Sequence, residues 1–391
     1  SLAFPVPMTL RAMEDEAMKI ARLRYACLCA SVIMLAGLSM AEGAAMEPDR
    51  PLTLCLYGFS SNLNPVKGIP PEQVAGWLNE RHVNAVFVAK ESDEVLGALR
   101  QAGVRIYREM TLFAGKSLYQ THPEWRPITA DGTEQKPDGW YYGLCPNKED
   151  LRQKRLREFE KRIADPRIDG VWLDFIRYPI RWEKQDPTQL DNCFCDDCIR
   201  LYREAVAGDF EVPQDMDRAE LARWILENHL PSWIEFKAER IATWVHEARL
   251  IRDRVRPDAT IGIFTVPWSS NEQNGAIFRV VGQDYVKLAE DVDIFSPMVY
   301  HLLCRKGPSW PAEFTKETIL RTGKLVWPIV QAMDEPSKLS YEELEQVILD
   351  SGRASGTGVI VFTAGHLDKE KKWEPAMRAF RTLVGEKESK P

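Results

Sequence analysis

Asp169-Gly170-Val171-Trp172-Leu173-Asp174-Phe175-Ile176-Arg177-Tyr178-Pro179 is the most informative run in this chain. From Val171 onward it reads as a short strand buried on both faces, entered through an Asp-Gly turn and closed by Pro179. A carboxylate inside such a run costs several kcal/mol if it is ionised and unpaired. Asp174 therefore belongs at the strand's C-terminal end, with Arg177 and Tyr178 just beyond it. In a parallel barrel that end is where substrates bind. The competing reading makes Asp174 and Arg177 a structural ion pair.

Outward from this run, strands and helices alternate. Towards the N-terminus, Leu52–Gly58, Val83–Ala89 and Val104–Met110 read as strands. They are separated by a helix from Pro71 to Arg81, with Pro in its first turn, and by one from Asp93, as cap, to Ala102. Towards the C-terminus the strands are Thr260–Val266, Ile294–Tyr300, Leu325–Gln331 and Gly358–Thr363. Helices run through Lys148–Ala164, from about Arg218 to Val255, and through Gln283–Ala289, Pro311–Arg321, Tyr341–Ser351 and Glu374–Leu383. Eight strands alternating with helices predict an α/β fold, a (β/α)8 TIM barrel. An open doubly wound sheet would normally carry a Gly-rich loop after its first strand, and Tyr57-Gly58-Phe59-Ser60 is not one. Without repeats or a linker, residues 46–385 read as a single domain with insertions after strands three and four, and 386–391 as a polar tail.

Composition narrows the function. The chain has 391 residues, 45% hydrophobic and 28% charged, within the ordinary range for a soluble globular protein. A net charge of -7, with no basic stripe, argues against a nucleic-acid partner. Residues 1–45 read as upstream sequence followed by a signal peptide: a basic n-region from Met18, an apolar stretch from Tyr25 to Met40, and small residues through Ala45. The apolar stretch is short for a membrane span. The expectation is a secreted or periplasmic protein with no stable membrane insertion after cleavage.

The predicted strand ends bring Tyr57, Arg108, Glu109, Asp174, Arg177, Tyr178, Trp268, Tyr300, His301, Gln331 and Asp334 to one face. Trp125 and Trp140, in the long loop after strand three, are further candidates, as is Glu272 after strand five. Glycoside hydrolysis needs one carboxyl as general acid, one as nucleophile or base, and aromatic rings against the sugar. The catalytic candidates are Asp174 with Glu272 or Asp334. The others are candidates for binding carbohydrate, and Glu109 is also a third possible partner for Asp174. No organic cofactor is expected.

Several short motifs occur in one order. They are His122-Pro123-Glu124-Trp125, Asp131-Gly132, Cys145-Pro146-Asn147, Asp174-Phe175-Ile176-Arg177-Tyr178-Pro179, Ser296-Pro297-Met298-Val299-Tyr300 and Trp327-Pro328-Ile329-Val330-Gln331. Over most of residues 52–367 this pattern resembles the secreted bacterial glycosyl hydrolase-like barrel group. The resemblance implies a TIM barrel and carbohydrate hydrolysis. The central run is also similar to a chitinase strand, but Ile176 stands where that motif has its catalytic Glu and Trp172 where it has an Asp. The expectation is an O-glycosyl hydrolase that is not chitinase-type. A non-catalytic carbohydrate-binding or envelope protein on a degenerate barrel is the alternative.

Cys193-Phe194-Cys195-Asp196-Asp197-Cys198 puts three thiols within reach of one ion, and Cys145 would complete an S4 zinc site. This arrangement is similar to that of zinc-containing β-galactosidases on the same barrel, where the resemblance implies a structural metal. Disulfides are the other reading, since export favours oxidation and six cysteines remain after the leader.

Overall fold

The computed structural model describes residues 52–385. The signal peptide expected within 1–45 and the tail at 386–391 lie outside them. Nine strands form one parallel sheet: β1 (Thr53–Tyr57), β2 (Ala85–Phe87), β3 (Arg105–Thr111), β4 (Gly170–Asp174), β5 (Thr260–Thr265), β6 (Ile294–Pro297), β7 (Leu325–Val326), β8 (Ile329–Gln331) and β9 (Gly358–Phe362). Their order is β7-β6-β5-β4-β3-β2-β1-β9-β8.

The single seventh strand expected from the sequence is broken into β7 and β8 at Trp327-Pro328, because Pro328 has no amide to donate to a ladder. Its first half pairs with β6 and its second half with β9. A bridge between Met298 and Ile329 joins β6 to the second half, and the sheet closes into an eight-position barrel.

Helices lie between the strands where the apolar pattern placed them, with small shifts at their ends. The helix Asp93–Gln101 is capped by Ser92, whose hydroxyl accepts from the Val95 amide at 3.3 Å, so Asp93 is its first helical residue rather than its cap. Among the described residues, no helix is long and apolar enough to cross a membrane.

Side chains alternate along β4, so Gly170, Trp172 and Asp174 face the barrel interior and Val171 and Leu173 face the helices. The interior is filled by rings. Trp172 lies 4.6 Å from Tyr107, 5.1 Å from Phe87 and 5.6 Å from Trp327, centroid to centroid. Its indole N–H donates to Ser296 Oγ at 3.0 Å. Burying a ring of this size contributes roughly 4–6 kcal/mol at most. Gly262 on β5 makes room for it, since a Cβ there would stand 2.0 Å from Trp172 Cε2. This plug is the floor beneath the barrel mouth.

Candidate functional site

Asp174 is the last residue of β4, opposite Thr111 of β3 in the ladder. Its Oδ1 accepts the Phe175 amide at 2.7 Å and lies 3.9 Å from Arg177 Nη1. Arg177 is fully buried, and its Nη2 donates to Glu183 Oε1 at 3.2 Å. One guanidinium thus serves two carboxyls. Phe175 between them has φ of +52°, a conformation that costs a bulky residue energy and clusters at functional sites. Its ring stacks on Tyr141 at 5.7 Å, and the Arg177 guanidinium lies 4.6 Å from its centroid.

A third carboxyl comes from β3. Glu109 accepts from the hydroxyl of Tyr57 and from Thr111 Oγ1. Tyr300, just past β6, stacks on Trp182 at 5.7 Å and leans on Phe362 at 5.0 Å. Burial pushes the Tyr300 phenol far up, and the charges of Asp174, Glu183 and Glu109 push it further. It is a neutral hydroxyl within the field of all three carboxyls.

The carboxyls are perturbed in one direction. Burial, then the charge of Glu109, push Asp174 well above the usual carboxylate range, with Arg177 and the Phe175 amide opposing. Burial also raises Glu109, against Thr111 and Arg162, and raises Glu183, against Arg177. Around them several buried polar atoms have no hydrogen-bond partner: Arg177 Nε and Nη1, Trp182 Nε1 and Glu183 Oε2. Buried polar groups are rarely left so, and a cluster of them marks a place built for something polar. Next to it, a cleft of about 350 Å³ is lined by Tyr57, Phe87, Arg108, Glu109 and Arg162. Trp140 is 56% exposed, edge-on to Phe175 at 6.2 Å, with Arg181 over its ring.

Of the residues singled out in the sequence, Tyr57, Glu109, Asp174, Arg177, Tyr300 and Trp140 come together here. Arg108 lines the adjoining cleft, 3.7 Å from Asp165. The others have different surroundings. Glu272 is held by Lys306 and the Ser269 amide. Asp334 is held by Lys372 at 2.6 Å and the Leu339 amide at 2.7 Å, contacts that lower its pKa although burial opposes them.

His301 is buried against Glu343, 3.1 Å away. Gln331 uses its amide to bind the backbone at Leu302, Leu303, Met333 and Glu335. Trp125 is buried and stacked on His122 at 3.7 Å, and Trp268 is buried. The Tyr178 hydroxyl accepts from Asn147 at 2.8 Å, inside the protein. Sequence reasoning passed over Glu183, Tyr141, Phe175 and Trp182. The available signal was Ile180-Arg181-Trp182-Glu183, a carboxylate at the end of a short apolar stretch so soon after Asp174.

The four cysteines also come together. The sulfurs of Cys145, Cys193, Cys195 and Cys198 are buried and all lie within 4.8 Å of one another. Cys145 Sγ is 3.7 Å from Cys195 Sγ and 3.4 Å from Cys198 Sγ, and the last two are 3.6 Å apart. A tetrahedral S4 site with metal–sulfur bonds of about 2.3 Å has edges of roughly 3.8 Å, so the cluster could hold a metal ion. The Ile128 amide donates to Cys193 Sγ and the Asn147 side chain to Cys198 Sγ, both at 3.3 Å. Such donors around the sulfurs orient the ligands of a metal site.

No family model matches the chain, and no curated protein matches it. Solved structures do. The β-galactosidase of Marinomonas ef1 superposes with a TM-score of 0.62 at 12% identity, covering 85% of this chain and 59% of that one. The β-galactosidase of Halorubrum lacusprofundi gives 0.62 at 12%, covering 85% and 58%. The glycoside hydrolase domain of PgaB (BpsB) from Bordetella bronchiseptica gives 0.59 at 12%, covering 86% of this chain and all of that domain. At this identity the likeness is one of fold alone, an α/β barrel of the kind seen in these structures. The chain spans less than three-fifths of the length of the two β-galactosidases.

Proposed function

We propose that this protein is a glycoside hydrolase that cleaves O-glycosidic bonds of a poly- or oligosaccharide by carboxylate acid/base chemistry. The observation that carries the reading is the grouping of Asp174, Glu109 and Glu183 around Arg177 and Tyr300 at the C-terminal mouth of a barrel. Glycosidases divide two roles between carboxyls in unlike environments. Burial and the charge of Glu109 push Asp174 well above the usual carboxylate range, which suits the general acid. Glu109 receives two hydroxyl donors, Tyr57 and Thr111, which favour its anion and suit the nucleophile or base.

Arg177 takes up the charge left on Asp174 after proton donation, and Glu183 fixes the guanidinium. Trp140 offers an exposed ring to a sugar face. The four cysteines would hold a structural zinc, supported by their number, burial and spacing. The basic and apolar run from Met18 to Ala45 supports export.

Turnover of a glycan panel by wild type and by Asp174→Asn tests the reading. Hydrolysis by the wild type that collapses in the variant supports it. A folded wild type that binds glycans and cleaves none would make the barrel a carbohydrate-binding module instead.

A further inference from the structure

The strap that follows β4, Phe175 to Glu183, carries Arg177 and Glu183 and leads directly out of Asp174. Its far side does not face the mouth. It is fastened to the shell of the cysteine cluster at two consecutive residues. The Tyr178 hydroxyl accepts from Asn147 Nδ2 at 2.8 Å, and the same Nδ2 donates to Cys198 Sγ at 3.3 Å. Arg240 Nε holds the other end of the Asn147 amide at 3.0 Å. The Pro179 carbonyl accepts from Asn192 Nδ2 at 2.9 Å, and Asn192 is the residue before Cys193.

Lys237 ties the two fastenings together. Its buried ammonium donates to the Asn192 carbonyl at 2.7 Å and to those of Arg279 and Val280 at 2.8 and 3.0 Å. It also lies 4.3 Å from the centroid of the Tyr178 ring. Beyond it, the Tyr178 amide donates to Val281 O at 2.9 Å, and Gly282, at φ of +72°, leaves the ring its space. Two residues of the cluster's outer shell, Asn147 and Asn192, are thus the residues that grip the strap.

We propose that the four-cysteine cluster is a clamp on the catalytic strap. A metal ion there fixes Asn147 and Asn192, and through Tyr178 and Pro179 it fixes the positions of Arg177 and Glu183 beside Asp174. Asn147, Tyr178 and Asn192 are positioning residues. The ligands come from two separate segments, the loop after β3 and the insertion after β4. An ion bound to both would add a direct link between the segments that carry the two asparagines, and among the described residues the four cysteines form no disulfide. Metal loading then sets catalytic competence as well as stability. The catalytic wording rests on the function proposed above, but the mechanical coupling does not.

Hydrogen exchange followed by mass spectrometry tests the clamp without any substrate. The full chain is compared as purified, after metal removal by chelator under reducing conditions, and as the Asn147→Leu and Tyr178→Phe variants with metal content measured. The expected result is exchange at least tenfold faster over residues 175–183 in the stripped protein, with β3 residues 105–111 unchanged. Both variants should keep their metal and show the same local loss. Where wild type turns over a glycan, Tyr178→Phe should lower kcat about tenfold and leave KM within twofold.

Unchanged exchange over the strap in a stripped chain that stays folded would overturn the clamp. If stripping unfolds the chain, the metal-loaded variants decide alone, and full protection in both overturns it. A wild type without turnover that shows the expected exchange pattern would remove the hydrolase reading and leave the clamp standing.

Discussion

Asp174 stands 3.9 Å from Arg177, too far for a hydrogen bond, while Arg177 itself has no exposure to solvent. A buried cation needs a partner, and the closer one is Glu183 at 3.2 Å. The long contact therefore does not hold the strap in place. It leaves Asp174 with a cation beside it and a carboxyl still free to meet a ligand, the arrangement expected of a reacting group rather than of a structural pair.

Asp174→Asn should fold, because Arg177 retains Glu183, and should lose turnover by roughly 10²–10⁴-fold, the usual worth of general acid–base help. Initial rates on the best glycan, with a thermal melt on the same samples, check both halves. A near wild-type rate would remove Asp174 from the chemistry. A variant that failed to fold would restore the structural ion pair.

The pH dependence of stability has a definite sign. Asp174, Glu109 and Glu183 are all raised by burial, so the folded protein binds protons that the unfolded chain releases. Their contribution is fully present below the ordinary carboxylate range near pH 4 and is lost as pH rises through the folded values. Asp174→Asn removes one such group. Its Tm relative to wild type should climb by a few degrees between pH 5 and pH 8, at roughly 1–2 °C per kcal/mol. A difference that stays flat across that range would contradict the burial argument.

Trp140→Ala should leave the melt unchanged, since the ring is largely in solvent. It should raise KM roughly fivefold, the equivalent of about 1 kcal/mol of ring contact, with kcat little altered. Steady-state kinetics on an oligosaccharide separate the two constants.

Glu272→Gln and Asp334→Asn should both retain turnover within a few-fold. Asp334→Asn should cost roughly 1–3 kcal/mol, because Lys372 is buried and loses a charged partner. Glu272→Gln should cost less, as its pair with Lys306 is partly exposed. Kinetics and melts of the two variants test this, and a large loss of rate in either would return that residue to the catalytic group.

Protein purified without chelator should carry about one zinc per chain by elemental analysis. Removal should lower the melting temperature, since site assembly and folding are linked. Mapping that found the four cysteines in disulfides would exclude the metal.

The barrel was legible because apolar runs and their helical spacers are local signals. Asp174 was legible because a carboxylate ending an apolar strand is conspicuous, and the cysteines because three of them lie within six residues. The surroundings of Asp174 were not legible. Glu183, Tyr141 and Trp182 sit in long connections whose path no period describes, and only the folded strap brings them beside Asp174. Tyr178 and Gln331 lie at strand ends as read, but there a side chain can turn towards solvent or into backbone, and one position along the chain does not say which. Pro328 broke a strand whose apolar run was otherwise continuous.

Gly262 and Trp172 are locked together in a way that reaches beyond this one molecule. With a Cβ at 262 falling 2.0 Å from the indole, no single replacement at that position leaves the ring where it is. The pair can drift over generations only by a joint change, a smaller residue at 172 arriving with a larger one at 262. Related chains should show covariation between these two positions.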